Sequence, residues 1–362
     1  MRIKSLKFNG FRNLHKANIE FDSETKIFAF VGPNGHGKTN VLEAIFLLSI
    51  SKSFRTNNNW DLIEFKEDFC SLNAKIEIGD EELDLDLIAT KEPPKKTLKI
   101  NGVQKNAAEY IGNFNVVFFS PEDMGMVNLS PAIRRRYIDL FISQFDRDYL
   151  MGSLGYKQTV KQRNSLLKQI SDEKAGEDEL DFWDKKLAEL GLKLIKKRAD
   201  VIDEINKYAS VFYKDVSGNQ DELQIKYEPS IKECDTSKYL EFLVNNRKRD
   251  IMNGSTQLGP HRDDLTFLCN NHDMKSFASR GEWRSLVLTL KFAEIELLKE
   301  KTGYYPILLL DDVFSELDDD RQKVLFNILK NTQTFITTTH REFLDVVDGE
   351  KKVFEVVDGK IK

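Results

Sequence analysis

The chain has 362 residues, 40% of them hydrophobic and 31% charged, with a net charge of −5. Such a length points to two domains, and the composition excludes a disordered or collagen-like chain. The acidic total excludes a globally basic nucleic-acid binder, so any anionic partner must be met by local patches.

No apolar run approaches the ~18 residues of a membrane span. The N-terminus lacks the apolar core of a signal peptide. Cys70, Cys234 and Cys269 form no C-x-x-C pair, which suits a reducing compartment and no metal site.

In chain order, Ile3, Leu6 and Phe8, a turn at Asn9–Gly10, then Ile19 and Phe21 predict a β-hairpin. Arg12, beside that turn, suits either a nucleotide phosphate or a solvated surface. Ile27 to Val31 is short enough for a buried strand. From Thr39 the pattern turns helical, with Val41, Leu42, Ile45 and Leu48 at three- and four-residue spacing. Between them, Gly32, Pro33, Asn34, Gly35, His36, Gly37, Lys38 and Thr39 fit the phosphate-loop pattern G-x-x-x-x-G-K-[ST], and Asn40 follows. The residue types suit the chemistry. Glycines let backbone N–H groups surround phosphate oxygens, and the helix adds its positive end. Lys38 supplies a cation for the β- and γ-phosphates of ATP, and Thr39 a hydroxyl for Mg²⁺.

Lys52 and Arg55 follow the helix. Alternation from Cys70 to Ile100 predicts an antiparallel meander, with turns at Gly79–Asp80, Pro93–Pro94 and Asn101–Gly102. Val116 to Phe119 is a short buried strand. Helices then dominate: one from about Pro131, one from Asp146 to Ile170, and a long one through Leu180, Leu187, Leu194, Val201, Ile205 and Phe212. The last suits one long bundle helix or an extended coiled coil. After Asp250 strands return: Leu265, Phe267 and Cys269 alternate. A helix (Arg284 to Glu300), a strand (Pro306 to Leu310), a helix (Arg321 to Leu329) and a strand (Phe335 to Thr339) follow. Strand and helix alternate, so this half joins the phosphate loop in one α/β core. The expected organisation is an ATPase domain from residues 1–129 and 251–362, with an inserted helical domain at 130–250.

The strand ending in Asp311 and Asp312 gives the phosphate loop its partner. Asp311 would hold Mg²⁺ through water, and Asp312 would polarise the attacking water. His340 ends the last strong strand, where α/β proteins bind ligands, and is a candidate for the γ-phosphate. Ser279 and Gly281 lie in a small-residue turn ahead of a helix, which can offer donors to an anion or be an ordinary N-cap. Three basic clusters fall in the inserted region: Arg134, Arg135 and Arg136; Lys196, Lys197 and Arg198; Arg247, Lys248 and Arg249. Singly each is an ordinary solvated face. Together they are candidates for DNA phosphates, read by backbone and shape.

These residues resemble the ABC-type ATPases of DNA maintenance, the group of the SMC and Rad50 proteins, and within it the RecF family. The segments that carry the resemblance run in order along nearly the whole chain. They are IKSLKFNGFRNL, GPNGHGKTNVLEAI, SKSFRT, FFSPEDM, RRRYIDL, QRNSLLK, QLGPHRDDL, FASRGEWR, LLLDDVFSELD and TTTH. The resemblance implies an α/β, ABC-type ATPase head with an antiparallel β subdomain and an inserted α-helical lobe. It also implies ATP and Mg²⁺ as cofactors, weak ATPase activity and an ATP-dependent homodimer. Asp318 would belong to a loop crossing the dimer interface, and Ser279 would cap the γ-phosphate of ATP on the other subunit. The implied partners are gapped or junction DNA, preferentially double-stranded, and RecR, with RecO in the same pathway; the implied location is the cytoplasm, at the nucleoid. Two positions depart from the wider pattern: Arg280 and Glu282 stand where transporter ATPases have glycine and glutamine. No glutamine follows the Val116–Phe119 strand, where Ser120 or Glu122 stands instead. The competing expectations are a transporter ATPase subunit, an SMC-like tether and a small-molecule kinase. The long insertion speaks against the first, its shortness as an arm against the second, and the signature turn against the third.

Overall fold

A computed structural model describes residues 1–125, 130–218, 221–232, 235–345 and 349–362. The chain divides into two compact units.

The first unit takes residues 1–125, 208–221 and 278–362. It opens with β1 (Arg2–Asn9), β2 (Ala17–Glu20) and β3 (Ile27–Val31), followed by α1 (Lys38–Ile50). The predicted hairpin is present, with Ser5 opposite Glu20 and Phe8 opposite Ala17. Its connection is longer than a tight turn, because Phe11 and Leu14 form a bridge of their own. Strands β4 (Phe69–Ile78), β5 (Glu81–Thr90), β6 (Lys95–Ile100) and β7 (Val103–Lys105) form the meander, giving the sheet order β2-β1-β4-β5-β6-β7. Positive φ at Asn101 and Gly102 makes the last turn. After a short α2 (Ala107–Tyr110), β8 (Val116–Phe119) enters the second sheet.

The second unit takes residues 126–207 and 222–277. It holds α3 (Pro131–Ser143), α4 (Arg147–Ser171) and α5 (Leu180–Ser217), whose last turns run into the first unit. Asp146 caps α4 by accepting from the Tyr149 N–H. Then come β9 (Leu223–Glu228), α6 (Thr236–Asn245), α7 (Arg247–Asn253), β10 (Asp264–Cys269), β11 (His272–Asp273) and α8 (Met274–Phe277). Here the structure differs from the expected division. Residues 251–277 belong to the helical unit, because β10 pairs with β9 in the sheet β11-β10-β9. The expected boundary at 129 and Cys234 lie outside the described residues.

The remaining elements are α9 (Arg280–Thr302), β12 (Ile307–Asp311), α10 (Asp319–Leu329), β13 (Thr334–Thr338), β14 (Lys351–Val357) and β15 (Lys360–Ile361). They complete the sheet β15-β14-β3-β13-β12-β8, parallel except for β15. Strands β3, β12 and β13 are almost wholly buried, as expected of a parallel sheet covered on both faces. Helix α1 packs against this sheet and against β4 and β5 of the meander. Residues 40–50 of α1 are consequently all buried.

Candidate nucleotide site

The parallel sheet brings the ends of β3, β12 and β13 together, and the phosphate loop leaves the first of them. Two of its glycines are sterically required. A Cβ on Gly32 would lie 2.1 Å from the Val356 carbonyl oxygen of β14. At Gly37, φ is +108° and a Cβ would lie 2.8 Å from Asn13 Oδ1.

Two flanking segments hold the loop. Asn13 Nδ2 donates to the Gly35 carbonyl (3.0 Å), while Asn13 Oδ1 accepts from Asn40 (2.7 Å). On the other side His36 Nδ1 accepts from the Asp358 N–H (2.9 Å), and the His36 carbonyl from the Gly359 N–H (3.0 Å). The sequence passed over Asn13 as a brace, and over Asp358 and Gly359 entirely. Their partners lie 22 or more positions away and share no periodic signal.

The Lys38 ammonium donates to the carbonyls of Gly32 (2.8 Å) and Pro33 (3.0 Å), inside the loop. Burial lowers its pKa, and the charges of Asp312 and Asp311 oppose that fall. Thr39 Oγ1 donates to Asp311 Oδ1 (2.8 Å), as does Thr337 Oγ1 (2.6 Å). Asp312 sits at φ 51°, its N–H held by the Thr337 carbonyl (3.0 Å). Its Oδ1 is buried and accepts no hydrogen bond among the described residues. A cleft of about 320 Å³ opens over this group, lined by Asn34, Lys38, Thr39, Phe54, Arg55, Ser120, Pro121, Glu122, Asp311, Asp312 and Thr337. The residues fit a magnesium nucleotide: a hydroxyl and a carboxylate in contact, an ammonium among loop carbonyls, and an orphaned buried carboxylate oxygen beside them. Ser120 and Glu122, offered for the missing glutamine, both line the cleft.

Other expected site residues stand elsewhere. Arg12 pairs with Glu43 of α1, with Nε–Oε2 at 3.0 Å and Nη2–Oε1 at 2.6 Å, and does not line the cleft. Glu43 is fully buried, and the fork-on-carboxylate pair neutralises it. Arg55 is the arginine that lines the cleft, with Nη1 donating to Asn40 Oδ1 (2.8 Å). His340 follows β13, but its ring is exposed and its Nδ1 meets Glu342 Oε1 at 3.0 Å; it does not line the cleft. Ser279 is the N-cap of α9: its Oγ accepts from the Glu282 N–H (3.3 Å), and Glu282 Oε2 accepts from the Ser279 N–H (2.7 Å). Asp318 caps α10, accepting from the Arg321 N–H (3.0 Å), and Gly281 lies in the first turn of α9.

In the second unit the basic clusters split. Arg134 is 4% exposed and grips Asp264 with two contacts of 2.7 Å. Arg198 is 3% exposed and bound to Asp139 (2.7 Å), Asp263 (3.4 Å) and the Tyr149 hydroxyl (2.9 Å). Arg247 reaches Asp184 (2.8 Å) and Asp181 (2.5 Å). Arg134 and Arg198 form internal ion pairs, which corrects their expected role on DNA, and Arg247 is half-buried against Asp184 and the exposed Asp181. Arg135 donates to the Asp263 carbonyl and Lys197 pairs with Asp146, both at 2.7 Å. Arg135 and Arg136 are half-buried, while Lys196, Lys248 and Arg249 are exposed.

A phosphate loop on a buried parallel sheet, facing an acidic strand end, with a capped signature turn and an inserted helical unit, defines an ABC-type P-loop ATPase head. The profile described as RecF/RecN/SMC N terminal domain matches residues 2–362. The chain belongs to the RecF family of these proteins. "DNA replication and repair protein RecF" of Clostridium perfringens is 39% identical over the full length of both chains. The protein of the same name from Lactobacillus johnsonii is 40% identical over 100% of this chain and 99% of its own. "Structure of the recombination mediator protein RecF-ATPrS in RecFOR pathway" matches with a TM-score of 0.91 and 37% identity, over 100% of this chain and 97% of the other. An Smc head domain from Pyrococcus furiosus, 17% identical over 99% of this chain and 95% of its own, shares the fold with a TM-score of 0.55.

Proposed function

We propose that this chain is an ATP-dependent DNA-binding protein of recombinational repair and replication. It would dimerise on ATP, be released by slow hydrolysis, and load recombination mediators at gapped or junction DNA. The observation that carries the reading is the cleft in which Lys38, Thr39, Asp311 and the orphaned Asp312 oxygen converge. The relatives named as replication and repair proteins, and solved with ATP in the RecFOR pathway, support it. RecR and RecO are the proposed partners and the cytoplasm, at the nucleoid, the proposed location. Among the described residues no helix is long and apolar enough to cross a membrane, and the transporter alternative has no support from the relatives.

The roles proposed for Lys38, Thr39, Asp311 and Asp312 rest on the cleft, and those for His340, Ser279, Gly281 and Asp318 on the family resemblance. The loop from Gly32 to Gly37 turns its backbone towards the phosphates, and Lys38 exchanges its two carbonyl contacts for phosphate oxygens. Thr39 and Asp311 would hold Mg²⁺, which when bound offsets phosphate charge. Asp312 polarises the attacking water, and His340 turns from Glu342 towards the γ-phosphate. Ser279, Gly281 and Asp318 act on the nucleotide of the other subunit.

Sedimentation with and without ATP, then with gapped DNA added, tests the whole reading. Wild type should become a dimer with ATP and bind the DNA more tightly. Lys38→Met should lose nucleotide binding and remain a monomer. A wild-type chain that stays monomeric at saturating ATP would refute the dimer mechanism.

A further inference from the structure

The signature turn and the acidic loop after β12 are far apart in sequence, yet one side chain ties them together. Arg321, in the first turn of α10, lies against the start of α9. Its Nη2 donates to the Gly281 carbonyl (3.0 Å) and to Ser285 Oγ (2.8 Å), and its Nε reaches the same hydroxyl (3.1 Å). The remaining arm, Nη1, pairs with Asp318 Oδ2. Asp318 Oδ1 meanwhile accepts from the Arg321 backbone N–H (3.0 Å). Both carboxylate oxygens of Asp318 are thus fixed by one residue.

Ser285 is fully buried, and the Arg321 side chain is only 16% exposed. A second pair runs alongside, with Arg284 Nη2 meeting Glu316 Oε2 at 3.1 Å. That pair is more than a third exposed on both sides and adds little. The Arg321 contacts differ in kind. A planar fork meets a carbonyl, a hydroxyl and a carboxylate at once, which a lysine point charge cannot reproduce.

We infer that Arg321 is the positioning residue that makes the signature turn and the Asp318 loop of one subunit move as a single body onto the nucleotide of the other. The inference rests on the dimer reading above. Among the described residues, the side-chain hydrogen bonds of Arg321 go neither to the phosphate loop nor to a residue lining the cleft of its own subunit. Its loss therefore spares nucleotide binding by the monomer and damages closure. A role confined to holding the fold would lower nucleotide binding and closure together.

The experiment compares wild type, Arg321→Lys and Arg321→Ala by two readouts. ATP affinity is measured on dilute monomer, and the ATP-dependent dimerisation midpoint is measured by sedimentation. Both variants should bind ATP as wild type does and need roughly tenfold or more protein to dimerise. Arg321→Lys preserves charge and stem and decides the matter if Arg321→Ala does not fold. Mixing Arg321→Lys with Lys38→Met should restore part of the hydrolysis, since one of the two sites then has an intact phosphate loop and an intact signature turn. An unchanged midpoint in Arg321→Lys, or equal losses in both readouts, overturns the inference while leaving the dimer reading intact. A wild-type chain that does not dimerise overturns both.

Discussion

Asp311 and Asp312 are neighbours with opposite surroundings. Asp311 Oδ1 accepts from Thr39 and Thr337, whereas Asp312 Oδ1 is buried with no hydrogen bond among the described residues. A saturated carboxylate is suited to holding, an unsaturated one to taking up a new donor such as water. Asp312→Asn should keep ATP binding and slow hydrolysis by about 10²-fold or more, read by phosphate release under saturating ATP. At His261 the prediction concerns pH. Burial pushes its pKa down to about 4, with the charges of Arg262, Arg135 and Arg163 adding to the fall. Nε2 meets the Thr256 carbonyl (2.9 Å) and must carry the proton, so Nδ1 accepts from the Tyr156 hydroxyl (2.9 Å). Between about pH 6.5 and 4 the unfolded chain binds a proton that the folded chain refuses. Stability from this group is complete above pH 6.5 and is lost as pH falls, by about 3 kcal/mol at most. Melting temperatures from pH 7.5 to 4.5 should fall less steeply for His261→Gln than for wild type.

At the scale of elements, the second unit is organised by buried charge as much as by apolar packing. Arg163 on α4 is fully buried. It binds Asp184 of α5 and Asp250 of α7, each at 2.6 Å, and the Thr256 hydroxyl at 2.9 Å. Around it Leu166, Leu167 and Leu180 form an apolar cluster with Trp183 and Ile251. Removing the arginine leaves the buried Asp250 without its cation and Asp184 with Arg247 alone. Arg163→Ala should cost about 3–5 kcal/mol, seen as a lower denaturant midpoint. The sequence marked QRNSLLK and QLGPHRDDL as segments shared with the family without showing what they do. The partners of Arg163 lie 21 to 93 positions away and that of Asp264 lies 130 away, beyond any local pattern. The α5 seam was legible, but its burial was not. Leu187, Leu194, Val201 and Ile205 are all buried by packing within the chain, as a bundle helix requires.

For the molecule as a whole, sorting the basic clusters by burial changes where DNA should be sought. Arg134, Arg198 and Arg247 are tied to carboxylates, while Lys248 and Arg249 project from α7 into solvent. Replacing both with glutamate should weaken binding to all sequences alike and flatten the salt dependence by about two charges, read by anisotropy titrations across ionic strength. Arg134→Glu should instead lower the melting temperature, because it puts a carboxylate against Asp264.

What the sequence determined by itself is the local chemistry. The phosphate loop, the acidic strand end, the meander turns and the long helices are written in spacing, glycine placement and hydrophobic period, which act over a few residues. The RecF resemblance added their order along the chain. Three matters were decided only by tertiary structure. Arg12 turned to Glu43 and left Arg55 on the cleft, because a buried carboxylate on α1 demands a cation. Residues 251–277 joined the helical unit, because β10 found its hydrogen-bonding partner in β9. Arg134 and Arg198 became internal, because their carboxylates arrive from distant elements. A charge in a sequence has no address until folding decides whether water or a counter-charge will solvate it.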